Sequence, residues 1–167
     1  MTDWRPEIRR ILKYAWPDWQ EGVEWIAAQV HVESRGNPLA ISPSGAKGLL
    51  QLMPGTALEM AVSDVFEPRE NLRGGIKYLK IQYDHMGEIP DTHQRLLWSF
   101  ACYNGGRGYV NKATHQAFVD KEPFWWKWDI GKYWLMSREC HVRNRYPDYK
   151  QIWNYVAKIV KNVSSND

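Results

Sequence analysis

Cysteine is scarce in this chain, charge is nearly balanced, and no long apolar run interrupts it. Two cysteines, Cys102 and Cys140, in 167 residues exclude a disulfide framework. Cys102 lies among apolar residues at helical spacing and reads as a small buried hydrophobe; a bridge to Cys140 stays open, because pairing cannot be read from sequence. The formal charge of +3, with no dense Lys/Arg block, excludes a nucleic-acid partner and at most aids approach to an anionic polymer. No segment nears the ~20 apolar residues of a membrane span. The stretch Met1 to Arg10 lacks the apolar core of a signal peptide, so the chain is expected to be made in the cytoplasm. Repeats and low-complexity tracts are missing too. What remains is 44% hydrophobic and 25% charged, and a single globular domain over 1–167 is expected.

Tryptophan, by contrast, is abundant, with ten in all. Most are expected in the core, although flat indole faces also stack on the C–H faces of sugar rings. Periodicity predicts a mainly α chain. Val23, Ile26, Ala27 and Val30 predict a helix from near Glu21 to Glu33, stopped by Gly36 and Pro38. Leu72, Ile76, Leu79, Tyr83 and Met86 mark a longer amphipathic helix. Leu96, Leu97, Phe100 and Ala101 mark another, ended by Asn104-Gly105-Gly106, and Ile152, Tyr155, Val156, Ile159 and Val160 form a C-terminal stripe. Strand signal is sparse: residues 39–52, with Pro43, Gly45 and Gly48, predict at most a small β-hairpin.

Glu33 is the residue of chemical interest. It ends an apolar helix, where the macrodipole disfavours added negative charge, and it follows Ala27, Ala28, Val30 and Val32, whose burial disfavours the ionised form. Both favour a carboxyl that keeps its proton, which glycosidic cleavage needs to protonate the leaving oxygen. Taken alone, the position also fits a solvated glutamate paired with Arg35. Four blocks around it change the odds. They are Glu33-Ser34-x-x-Asn37-Pro38, Gly45-x-x-Gly48-Leu49-x-Gln51-x-Met53-Pro54, Pro68-x-x-Asn71-Leu72-x-Gly74-Gly75, and Ala101-x-Tyr103-Asn104-Gly105-Gly106. In this order and spacing they resemble the signature of the soluble lytic transglycosylase (goose-type lysozyme-like) family, over about residues 22 to 113.

The resemblance implies a lysozyme-like α+β catalytic domain acting on peptidoglycan glycan strands. The bond cleaved would be the β-1,4 link between N-acetylmuramic acid and N-acetylglucosamine, with 1,6-anhydro products and no cofactor or metal. Glu33 matches the family's general acid and then base. Ser34, Gln51, Met53, Tyr103, Asn104 and Tyr155 match its substrate-binding residues. All but Tyr103 have a plainer reading: Ser34 a polar helix end, Gln51 an amide supporting its loop, Met53 packing, Asn104 a helix C-cap, Tyr155 a core tyrosine. The family's last block is half present: Gln151-Ile152-Trp153-Asn154-Tyr155-Val156 lacks the usual charged pair. Cys102 stands where the family usually has alanine.

Two other functions stay open. One is a hydrolytic muramidase using water and a second carboxylate from among Asp64, Glu67, Glu70, Asp84 and Asp91. The other is a non-catalytic peptidoglycan-binding module. The segment of about 114–150 is an aromatic-rich insertion, with Phe124-Trp125-Trp126-Lys127-Trp128, Tyr133-Trp134 and the basic run His141 to Arg145. It reads as a wall of the glycan groove or as a packed flap. The resemblance, with a compact chain, suits a monomer of bacteriophage endolysin type, reaching the wall after holin-type release or on a virion.

Overall fold

Prolines open three of the helices, where a missing N–H costs nothing because the first turn has no partner for it. In the computed structural model, which describes residues 2–19 and 21–165, Pro6 sits in the first turn of α1 (Arg5–Ala15), and Pro54 and Pro68 begin α3 (Pro54–Glu59) and α4 (Pro68–His85). The others are α2 (Gly22–Ser34), α5 (Thr92–Gly105), α6 (Arg107–Val119), α7 (Trp128–Gly131) and α8 (Tyr149–Ser164), with a 3-10 helix at Lys132–Met136. The mainly α class holds. Among the described residues there is no named strand; the expected hairpin appears as isolated bridges pairing Ile41 with Lys47 and Lys47 with Leu52. Among the described residues, no helix is long and apolar enough to cross a membrane.

The chain divides into two compact units, Met1–Lys80 with Lys158–Asp167, and Ile81–Ala157. In the first, α1 packs on α2. Ile8 and Leu12 of α1, Ile26 and Val30 of α2, and Leu72, Ile76 and Leu79 of α4 are buried. Leu49, Leu50 and Leu52 of the irregular loop join this core, although that loop carries little regular structure.

In the second unit α5 packs on α6, and α7 and the 3-10 helix pack on both or one of them. Asp91 caps α5 by accepting the Gln94 N–H at 2.8 Å. Trp98 is fully buried, donates its indole N–H to the Trp126 carbonyl at 2.9 Å and meets Trp128 edge-on with centroids 5.0 Å apart. The aromatic segment is therefore partly core, since Trp128, Leu135 and Cys140 are buried, while Phe124, Tyr133 and Tyr146 remain exposed. Its basic run is a tight turn: Arg143 and Asn144 take positive φ between the bridged Val142 and Arg145. Of the ten tryptophans, four are buried (Trp16, Trp25, Trp98 and Trp128) and the other six half-buried. The indole is too large to lose all its surface easily, so fewer reach the core than expected.

Both cysteines are free and buried. Burial strips hydration from the thiolate and pushes Cys102 up to about 12 and Cys140 up to about 11. The Cys140 thiol also donates to the Tyr109 carbonyl at 3.1 Å. Neither thiol is expected to react with iodoacetamide in the native protein at mildly alkaline pH, whereas both react in denaturant. Alkylation of either in the native state, read by mass spectrometry, would contradict this burial.

Candidate active site

α2 ends in a left-handed reversal. Arg35 has φ +53° and Gly36 φ +75°, and the Arg35 N–H donates to the His31 carbonyl at 3.0 Å. Such a turn satisfies late helical carbonyls and stops the helix. Glu33 thus stands in the last turn and is half-buried, so both the helix terminus and the partial burial expected for it are present. Ser34 is buried; its hydroxyl donates to the Val30 carbonyl at 3.1 Å and accepts the Gly36 N–H at 3.2 Å. Both hydrogen-bonding functions of Ser34 serve the turn that carries Glu33. From the N-terminal segment, the Trp4 indole donates to the Gly36 carbonyl at 3.1 Å and pins the same turn.

The chain continues through short turns that lead to Gln51. Ala40 N–H donates to Asn37 O at 3.3 Å, and Gly48 N–H to Ala40 O at 2.9 Å. Gln51 itself adopts φ +47°, an unfavourable conformation for a residue with a Cβ. Its Nε2 donates to Ala40 O at 3.2 Å and Gly48 O at 3.0 Å, which holds that conformation. The loop-supporting role is real, and it leaves Oε1 with no hydrogen-bond partner among the described residues. Met53, two residues on, is 44% exposed at the start of α3.

The lock on this loop is Asn71 of α4, which sequence reasoning placed in a matching block but gave no role. It is buried; its Oδ1 accepts the Leu50 N–H at 2.8 Å, and its Nδ2 donates to Lys47 O at 3.0 Å and Val65 O at 2.8 Å. Gly48 has φ +78°, and a Cβ there would collide with the Asn71 amide and the Val65 carbonyl. Both its positive φ and the closeness of Asn71 require glycine there. A polar residue beside the apolar stripe of Leu72, Ile76 and Leu79 on an amphipathic helix was the available signal for Asn71.

In the second unit, Tyr103 and Asn104 occupy the last turn of α5 and are half-buried. Asn104 is not the cap: Gly106, at φ +92°, ends the helix and donates its N–H to Cys102 O at 2.9 Å. Gln151 of α8 donates from Nε2 to Asn104 Oδ1 at 3.3 Å. That contact orients the Asn104 amide and leaves its Nδ2 hydrogens for a ligand carbonyl. Gln151 lies in the half-present block, and sequence reasoning gave it no part. Gln151→Ala is expected to slow substrate turnover about threefold to tenfold, the worth of one hydrogen bond, without moving the thermal midpoint. A midpoint shift with unchanged turnover would make the contact merely structural. Tyr155 is 5% exposed on the apolar stripe of α8, beside Ile152 and Val156.

The structure thus gathers Glu33, Ser34, Gln51 and Met53 in one unit and Tyr103, Asn104 and Tyr155 in the other. Among the described residues, no group of three or more His, Cys, Asp or Glu side chains is placed to hold a metal ion.

Comparison with known proteins bears on this arrangement. The transglycosylase SLT domain profile matches residues 17–123. The membrane-bound lytic murein transglycosylase F of Desulfosudis oleivorans is 39% identical over 113 residues, which cover 68% of this chain and 24% of that protein. Its namesake in Shewanella loihica is 33% identical over 132 residues, covering 77% of this chain and 27% of the relative. The chain therefore spans about a quarter of the length of these relatives. Among solved structures, an inactive mutant of the lytic transglycosylase Slt from Pseudomonas aeruginosa matches with a TM-score of 0.61 and 22% identity, over 97% of this chain and 24% of that one. That likeness shows the fold. With the profile covering all four blocks around Glu33, Gln51, Asn71 and Asn104, this chain belongs to the transglycosylase SLT domain family.

Proposed function

We propose that this chain cleaves the β-1,4 bond between N-acetylmuramic acid and N-acetylglucosamine in peptidoglycan, as a lytic transglycosylase. The observation that carries the reading is Glu33, half-buried at a helix C-terminus on a turn pinned by Ser34 and Trp4, in a chain of this family. Glu33 in its protonated form gives its proton to the bridging oxygen as the C1–O bond breaks. The substrate's own acetamido group supports the positive charge developing at C1. The Glu33 carboxylate then takes the proton of the C6 hydroxyl, whose oxygen closes on C1 to give the 1,6-anhydro sugar. Glu33 ends protonated, and no water is consumed. Intramolecular closure supplies the effective molarity that a hydrolase must obtain by activating water.

The remaining site residues take supporting parts in this proposal. Gln51 Oε1 accepts from a sugar hydroxyl or amide, Met53 offers an apolar edge, and Tyr103 with Asn104 Nδ2 orients an N-acetyl group. Ser34 holds the turn, and Tyr155 acts from within the packing of α8.

Four of the five carboxylates that could serve a hydrolase, all but Asp84, are engaged by backbone amides, which supports the lyase reading. Asp64 accepts Phe66 N–H at 2.8 Å, Glu67 accepts Glu70 N–H at 2.7 Å, and Asp91 accepts Gln94 N–H at 2.8 Å. Glu70 accepts both Ser63 and Asp64 N–H groups, at 2.7 and 3.0 Å, and the Asp64 and Ser63 amides hold its carboxyl below the ordinary range. Carboxylates engaged as turn and helix caps are poor bases for water. The test is digestion of purified peptidoglycan followed by a reducing-end assay. Soluble fragments without new reducing ends are expected. New reducing ends in proportion to the bonds cut would establish a muramidase, and no release at all would leave a binding module.

A further inference from the structure

The second unit holds a cleft of about 440 Å³ that none of the candidate site residues lines. His85 and Glu88 come from the end of α4 and the turn beyond it, Asn111, His115 and Phe118 from α6, and Trp125 from the loop that follows. Its walls are fixed from the N-terminal half of α5. Arg95 donates to Ile89 O at 3.0 and 2.6 Å and to Gly87 O at 3.2 Å, which sets the turn bearing Glu88. Gln94 Oε1 accepts the Trp128 N–H at 2.6 Å, and Trp98 holds the Trp126 carbonyl, which sets the loop bearing Trp125. From Gln94 to Asn104 is ten residues of helix, about 15 Å along the axis, so the cleft and Asn104 sit at opposite ends of α5.

The chemistry of the lining selects a ligand class. Phe118 is 66% exposed and Trp125 half-buried, so two aromatic rings offer faces or edges to whatever enters. Among the described residues, the side chains of His85, Glu88, Asn111 and His115 and the Trp125 indole N–H have no hydrogen-bond partner within the protein. These are planar donors and acceptors set beside aromatic surface. A pyranose ring needs that combination, apolar C–H faces against a ring and hydroxyls bonded in the ring plane. Among the described residues, no lysine or arginine lines the cleft, which disfavours a phosphate or polyanion, and its polar rim disfavours a lipid tail.

We propose that this cleft is a second saccharide site, binding an N-acetylated glycan at the end of α5 opposite Asn104 and so holding the protein on the polymer between cuts. The reading above enters only in the choice of sugar. The test uses the full chain carrying Glu33→Gln and the N-acetylglucosamine tetramer as probe. The Trp125 indole N–H resonance, assigned by its loss in Trp125→Phe, is followed by NMR. A saturable shift is expected, weakened at least about fivefold by Phe118→Ser, the loss of one stacking ring, and left in place by Asn104→Ala. Phe118 is exposed, and an unchanged thermal midpoint shows that its substitution leaves the fold intact. No Trp125 shift at millimolar tetramer, or a shift indifferent to Phe118→Ser, overturns the proposal. Failure of the parent to cut peptidoglycan while this shift persists would instead count against the activity reading alone.

Discussion

Glu33→Gln is expected to lower the release of soluble muropeptides by about 10²–10⁴-fold, the usual worth of a positioned general acid and base. Glutamine keeps the shape and the polar contacts of the side chain but can neither give nor take the proton. Glu33 is half-buried and ends a helix whose turn is held by Ser34, Arg35 and Trp4, none of which depends on the Glu33 proton. The thermal midpoint should therefore stay within a few degrees of the parent. Binding to intact wall should survive, because Gln51, Met53, Tyr103 and Asn104 are untouched. Retained cleavage in Glu33→Gln would move the catalytic acid elsewhere.

Asn71→Leu should produce the largest loss of stability, about 3 kcal/mol or more, seen as a fall of roughly 10 °C in the unfolding midpoint. Leucine is close in size to asparagine, so packing changes little. What is lost is one acceptor and two donors: the buried Leu50 N–H and the part-buried Val65 O lose Asn71, while Lys47 O keeps the Leu52 N–H at 2.9 Å. Each such orphan costs about 1–3 kcal/mol. The loop that holds Gln51 at φ +47° depends on the same lock, so activity should fall further than stability alone explains. Gly48→Ala, which pushes a methyl into the Asn71 amide, should lose stability by the same route. An Asn71→Leu protein with an unmoved midpoint would mean that the loop is held by its apolar residues Leu49, Leu50 and Leu52.

The long helices were legible because their apolar residues recur at helical spacing. The one expected from near Glu21 to Glu33 runs Gly22–Ser34, a shift of one residue at each end. The loop between α2 and α3 was legible as irregular, since its prolines and glycines break any period. What holds it was not legible: the left-handed Gln51 rests on Ala40 at a separation of 11, and the buried Asn71 on Leu50 and Lys47 at separations of 21 and 24. The capping role of Asp91 and of the acids at 64–70 lay within reach, because an acid two or three residues ahead of a helical turn is a common N-terminal signal. The aromatic insertion could not be sorted by sequence, because tryptophan suits both core and sugar surface. The structure buries Trp128 and leaves Phe124 and Tyr133 exposed in the same stretch. For Gln151, chain position offered a clue only in hindsight of the block around Tyr155; its contact with Asn104 spans 47 residues.

The central claim is that the C6 hydroxyl, not water, closes the reaction that Glu33 begins. Digestion of purified peptidoglycan in heavy-oxygen water, with mass spectrometry of the soluble fragments, tests it most directly. The mechanism predicts muropeptides lighter by one water than reducing-end fragments and free of solvent oxygen. Fragments carrying one heavy oxygen at each new reducing end would contradict it and make the enzyme a hydrolase.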